Sequence, residues 1–80
     1  MNYEIGKPYL LEYPSNTKIS ILIDKNHTNL TFYDGTCFTF SNKFIEQGNI
    51  KIYEYNEKNY NKKYSNEFIR LLLEIKKGGE

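Results

Sequence analysis

Few residues in this 80-residue chain have side chains that could act as a nucleophile or a general base. The single histidine is His27 and the single cysteine is Cys37. A cysteine nucleophile needs its base within hydrogen-bond reach. In the strand register argued below, Cys37 lies opposite Thr31, and His27 lies several residues beyond that pair. The spacing therefore argues against a catalytic cysteine–histidine pair.

The other groups that support catalysis or cofactor binding are equally sparse. No set of His, Cys, Asp and Glu residues has the spacing of a zinc site. Gly6, Gly35 and Gly48 are isolated turn glycines rather than parts of a phosphate-binding loop. Asp34 is explained by a turn, and no spacing singles out a pair of carboxylates for acid–base work. We therefore expect a protein that is not an enzyme and that has no catalytic residue, metal or cofactor.

The composition predicts a single domain, residues 1–80, from a low-G+C genome. Lys, Asn, Ile and Tyr fill 37 of the 80 positions, and A/T-rich codons encode all four residue types. A chain of this length has room for one domain. The net charge of +1 is too balanced for strong non-specific binding to nucleic acid. An AT-rich bacterium, or one of its phages or plasmids, is the expected source.

The same sequence predicts a cytoplasmic location, which is the host cytoplasm if a phage encodes the chain. No apolar run reaches the roughly 18 residues that a transmembrane helix requires. The first residues lack the charged and apolar regions of a signal peptide. One cysteine cannot form an internal disulfide.

Turn residues recur about every eight to twelve positions, which is the spacing of an antiparallel sheet. The first two strands are predicted over Tyr9–Tyr13 and Lys18–Asp24. The second carries alternating isoleucines that point to one face: Ile19, Ile21 and Ile23. Leu22 is the one apolar residue of that strand on the other face.

The aromatic residues that follow position 29 predict a hairpin and its register. A three-residue loop over 33–35 pairs Phe32 with Thr36 and Leu30 with Phe38. This register places four apolar side chains on one face: Leu30, Phe32, Phe38 and Phe40. Their burial is worth roughly 1.5–3 kcal/mol for each side chain, which outweighs turn-type preference.

A second hairpin is predicted around Gly48, because its register pairs Ile45 with Ile52 and matches opposite charges across the strands. The alternative is a short helical turn with Ser41 as its cap. The hairpin register would gather the isoleucines of three strands on one buried face: Ile19, Ile21, Ile23, Ile45, Ile50 and Ile52.

A helix is predicted from an N-cap at Ser65 to about Lys77, with Gly78 as its stop. Its apolar residues form a core-facing stripe: Tyr64, Phe68, Leu71, Leu72 and Ile75. Ile69 and Leu73 lie outside that stripe and leave two interpretations open. Loops could wrap the helix and bury both side chains, or the two could form a dimer or partner interface.

Strands followed by one helix predict an α+β fold, a small antiparallel β-meander of about five strands with the C-terminal helix packed on one face. The other face of such a sheet is expected to meet solvent. Tyr53 and Tyr55 point away from the isoleucine face together with Lys51, and Tyr33 lies on the corresponding face of the neighbouring hairpin. Tyrosine is typical of protein contacts and also stacks on bases. The high strand propensity of tyrosine is by itself another explanation for its presence at these positions.

The polar loop 57–63 combines basic and aromatic side chains. Lys58, Lys62 and Lys63 accompany Tyr60, and this group could contact phosphate. A solvated loop is the ordinary interpretation of such a cluster.

These patterns favour a small non-enzymatic binding protein, a phage- or mobile-element-encoded inhibitor that acts by protein–protein contact. Anti-defence proteins of the anti-CRISPR kind, antitoxins and immunity proteins are such inhibitors. The alternative is a module that binds single-stranded nucleic acid or nucleotide through the Tyr/Lys face. The partner is expected to be another protein rather than a membrane, and a homodimer through Ile69 and Leu73 is a further candidate. The residues predicted to bind the partner are Tyr33, Lys51, Tyr53, Tyr55, Tyr60, Lys62, Lys63, Ile69 and Leu73.

Overall fold

A five-stranded antiparallel sheet and a C-terminal helix form this protein, in a computed structural model that describes residues 2–56, 58 and 61–78. The elements in chain order are β1 (Pro8–Glu12), β2 (Thr17–Lys25), β3 (Asn29–Tyr33), β4 (Cys37–Ser41), α1 (Asn42–Glu46), β5 (Lys51–Glu54) and α2 (Lys62–Gly78). The strand order across the sheet is β4-β3-β2-β1-β5. The predicted α+β meander with a helix at its C-terminal end is confirmed.

The last strand pairs with the first, so the predicted hairpin around Gly48 is wrong. Leu11 of β1 lies opposite Ile52 of β5. The alternative helical turn is present as α1, and the Ser41 hydroxyl caps it by accepting the Phe44 N–H at 3.1 Å. The chain thus leaves β4 at one edge of the sheet, passes through α1 and returns as β5 at the other edge.

The hairpin of β3 and β4 has the predicted faces but a different register. Phe32 pairs with Phe38 and Leu30 with Phe40, so the loop is 34–36 rather than 33–35. The observed pairing brings the ring centroids of Phe32 and Phe38 within 6.0 Å. A shift of two residues leaves every side chain on its original face, since side chains alternate with a period of two.

Apolar side chains are buried on both faces of the sheet, which corrects the expectation of one open face. The helix-side core contains Leu10, Ile19, Ile21 and Leu71, with Ile23, Tyr33, Tyr55, Tyr64, Phe68 and Ile75 packed around them. The opposite core contains Tyr9, Leu11, Leu22, Leu30, Phe32, Ile50 and Ile52. The isoleucines therefore divide between two cores instead of sharing one face.

The N-terminal segment and α1 cover the opposite core. The Tyr3 ring meets the Tyr9 ring edge-on, with centroids 5.5 Å apart. The Glu4 N–H donates to the Tyr9 hydroxyl at 2.8 Å, which satisfies the polar end of a buried tyrosine. From the other side, Ile45 of α1 packs against the same core.

Helix α2 packs on β2 and begins earlier than predicted. Asn61 precedes the helix, and its side-chain oxygen accepts the Lys63 N–H at 2.9 Å, as an N-cap does. Ser65 is therefore inside the helix rather than at its cap. Its hydroxyl lies 2.5 Å from the Tyr55 hydroxyl and ties the first turns of α2 to the end of β5.

Candidate protein-binding surface

The structure separates the two candidate catalytic side chains. Cys37 lies opposite Tyr33, not Thr31 as predicted, and His27 precedes the start of β3. The length of β3 that lies between them spans about 13 Å at 3.3 Å per residue. Among the described residues, no three His, Cys, Asp or Glu side chains are grouped to hold a metal ion.

Two of the predicted partner-binding tyrosines lie beneath α2. The Tyr33 hydroxyl donates to Glu74 Oε1 at 2.8 Å. The Tyr55 hydroxyl donates to the Asn61 carbonyl at 3.0 Å and also contacts Ser65. The strand parity that set Tyr53 and Tyr55 apart from the isoleucines at 50 and 52 is correct. Helix α2 covers Tyr33 and Tyr55, however, so the predicted open face that contains them is wrong.

The remaining predicted residues of the Tyr/Lys group lie at the rim. Lys51 and Tyr53 are exposed on the edge strand β5, with 43% of the Tyr53 surface accessible. Lys62 and Lys63 are exposed in the first turn of α2. Tyr60 lies outside the described residues. The structure therefore does not bring these residues into one surface with Tyr33 and Tyr55.

The outward face of α2 carries an apolar group, here called the outer stripe, that consists of Ile69, Leu72 and Leu73. Their exposed fractions are 55%, 41% and 63%, whereas Leu71 on the inner face is fully buried. Leu72 and Leu73 follow Ile69 by three and four residues, so both side chains are neighbours of Ile69 on the helix surface. Loops do not bury Ile69 and Leu73, so that interpretation is wrong. Leu72 was predicted in the core and is also exposed.

The two acidic residues of α2, Glu67 and Glu74, lie on one side of the helix, and both form ion pairs. Arg70 forms ion pairs with Glu67 and Glu74, and Glu74 also accepts the Tyr33 hydroxyl. The hydrogen bond to Glu67 raises the pKa of the Arg70 guanidinium, and the hydrogen bond to Glu74 raises the pKa of Tyr33. This network faces β3 and leaves the outer stripe without a nearby unpaired carboxylate among the helix residues.

Lysines lie at both ends of the outer stripe. Lys62 and Lys63 begin the helix, and Lys76 and Lys77 lie in its last turn. With Arg70, the helix has five basic residues against two acidic ones, a net charge of +3 in a chain whose total is +1. At 100° per residue, Lys62 and Lys76 lie on the same side of the helix as Ile69. These two lysines are about 21 Å apart along the helix axis. The surface is an aliphatic patch between two cationic ends.

Comparisons with known proteins add no second source of inference. No protein-family model matches this chain, and no curated protein or solved structure matches it. Within the described residues, neither helix has the length and apolar character needed to cross a bilayer. The chemistry of the outer stripe and its flanking charges is therefore the basis for assigning a function.

Proposed function

We propose that this protein is a small non-enzymatic binding protein that contacts another protein through the outer stripe of α2. The observation that carries the proposal is the exposure of Ile69, Leu72 and Leu73 on a helix whose other face is anchored in the core. Contiguous exposed apolar groups usually mark a contact surface. Anchors spaced three and four residues apart are the pattern by which a helix binds a hydrophobic groove.

The charge around the stripe defines the partner surface as apolar at its centre and acidic at its ends. Lys62 and Lys76 lie at either end of the patch, and complementary charge steers association and suppresses wrong partners. The same charges disfavour a homodimer in which two α2 helices pair antiparallel through Ile69 and Leu73. Such a pairing sets the lysines at the start of one helix against those at the end of the other.

The proposed role is inhibition of that partner, in a chain that a phage or mobile element encodes. The support for this part is the small size and the A/T-rich composition, together with a surface suited to binding. Anti-defence, antitoxin and immunity functions all consist of blocking another protein by contact. The nucleic-acid alternative lacks its predicted stacking platform, because α2 covers Tyr33 and Tyr55.

The test compares the wild type with Ile69→Asp/Leu73→Asp in affinity capture from a low-G+C bacterial lysate. We expect the wild type to retain a discrete protein that the double variant loses, because two carboxylates are introduced into the apolar centre. The retained protein should dissociate in part at high salt, as a charge-steered contact does.

Ile5→Asp is the matched control, because Ile5 and Ile69 are both 55% exposed and only Ile69 lies on α2. It should retain the same protein as the wild type. Far-UV circular dichroism should be unchanged for both variants. Retention of the same protein by the double variant, or equal loss with Ile5→Asp, would contradict the proposal.

A further inference from the structure

The outer edge of β4 lacks the features that usually protect an edge strand. Natural sheet edges are commonly guarded by charged side chains, prolines or bulges. The strand Cys37–Ser41 contains no charged residue and no proline, and it pairs with β3 without the register shift that a bulge causes. At the other edge of the sheet, β5 carries Lys51 and Glu54. The two edges therefore differ in their capacity to accept another strand.

The hydrogen bonds at both ends of the β3–β4 hairpin show which backbone groups of β4 face outward. The Asn42 N–H donates to the Thr28 carbonyl at 2.7 Å, and the Asp34 N–H donates to the Thr36 carbonyl at 3.2 Å. Hydrogen-bonded pairs alternate with non-bonded pairs along an antiparallel ladder. In this register the two phenylalanines of β4 bond inward to β3. Cys37 and Thr39 then direct both their N–H and C=O groups to the open edge. Ser41 directs only its N–H there, because as the N-cap its carbonyl accepts the first hydrogen bond of α1.

We propose that this edge pairs with the same edge of a second copy of the chain, antiparallel about a two-fold axis through Thr39. The sequence Phe38-Thr39-Phe40 is symmetric about that axis, so Phe38 of each copy lies opposite Phe40 of the other. Both rings are only half-buried in the single chain and have further surface to bury. Aromatic pairs across strands stabilise a sheet, and a two-fold contact needs such a self-complementary patch.

The rest of the fold leaves room for a continuous ten-stranded sheet. Helix α2 packs on β2, so the two copies of α2 are separated by five strand spacings, about 24 Å. A helix with its side chains is about 10–12 Å across. On the other face, α1 turns inward from β4, because its Ile45 packs against the opposite core. Neither helix obstructs the open edge.

The pairing is independent of the proposed function, because the outer stripe of α2 is not part of it. A five-residue strand makes a small interface, and small interfaces give weak association. We therefore expect a dimer whose population rises with protein concentration. Sedimentation velocity over a wide concentration range measures that rise.

Thr39→Pro tests the edge directly. Proline removes one N–H, which at this position points outward, so the ladder to β3 loses no donor. Thr39→Val is the matched control, because it changes the side chain and keeps the N–H. We expect the wild type and Thr39→Val to dimerise as concentration rises, and Thr39→Pro to stay monomeric with an unchanged far-UV spectrum. Thr39→Lys, which sets two like charges on the axis, should also stay monomeric and serves if the proline variant does not fold.

Cross-linking tests the register. In Cys37→Ser/Thr39→Cys, the two new thiols meet on the axis, within the Cα separation that a disulfide accepts. In the wild type the two Cys37 residues lie about 13 Å apart along the strands and should not cross-link within the dimer. A wild type that is monomeric at its highest attainable concentration would overturn the proposal. So would a dimer that survives Thr39→Pro and is lost in Ile69→Asp/Leu73→Asp.

Discussion

Ser20 has the one fully buried side-chain polar atom among the described residues that lacks a hydrogen-bond partner. It lies in the centre of β2, opposite Tyr9, on the face that forms the opposite core. A buried hydroxyl without a partner has lost its hydration and gained nothing in exchange. The residue lowers the stability of the sheet at a fully buried position.

Ser20→Ala should therefore raise the free energy of unfolding, by about 1 kcal/mol. Urea denaturation followed by circular dichroism measures the change. Ser41→Ala is a contrasting serine substitution, because it removes the cap of α1 and should lower the free energy of unfolding by about 1 kcal/mol. A loss of stability in Ser20→Ala would show that its hydroxyl has a stabilising contact.

At the scale of elements, α2 has two faces with opposite energetic roles. Leu71 is fully buried in the helix-side core, whereas Leu73 is 63% exposed in the outer stripe. Leu71→Ala should lower the free energy of unfolding by about 2–5 kcal/mol, since it removes buried methyl groups and leaves a cavity. Leu73→Ala should change the free energy of unfolding by less than about 0.5 kcal/mol. The same urea titration measures both, and equal costs would contradict the assignment of the two faces.

Local patterns predicted the elements whose partners are adjacent in the chain. Parity placed Leu30, Phe32, Phe38 and Phe40 on one face of a hairpin, because both strands bury the same side regardless of a two-residue shift in register. Helical periodicity likewise predicted the inner face of α2. It overestimated the width of that face by including Leu72, since one helix on one sheet buries a narrower stripe.

The strand β5 shows why the rest could not be predicted. Ile45 and Ile52 are close in sequence and complementary, so local pairing favoured a hairpin between them. The edge of β1 was the better partner for Ile52, although Leu11 lies far away in the chain. No local signal carries that choice, because it depends on which edge is free once the first four strands have paired. The covering of Tyr55 by α2 depends on the same long-range arrangement.

At the scale of the whole molecule, the two cores share their strands. Leu10 of β1 lies in the helix-side core, while its neighbours Tyr9 and Leu11 lie in the opposite core. In β2, Ile21 and Leu22 divide in the same way. A strand cannot leave one core without withdrawing its alternate side chains from the other. The protein should therefore unfold as one cooperative unit.

Two spectroscopic probes test this expectation, because a cooperative unfolding transition has the same urea midpoint by both. Far-UV circular dichroism is dominated by the helix α2, whereas tyrosine fluorescence also reports Tyr3 and Tyr9 in the opposite core. For the wild type and for Leu71→Ala, we expect both probes to give the same urea midpoint, shifted equally by the substitution.

The physical reason is that neither layer persists alone. An isolated helix of 17 residues is marginal in water, so α2 should lose its structure when the sheet does. Conversely, a sheet without α2 would expose Ile19 and Ile21, which are buried against it. A helical transition that precedes the tyrosine transition in Leu71→Ala would contradict this coupling, and would mean that the opposite core alone holds the five strands together.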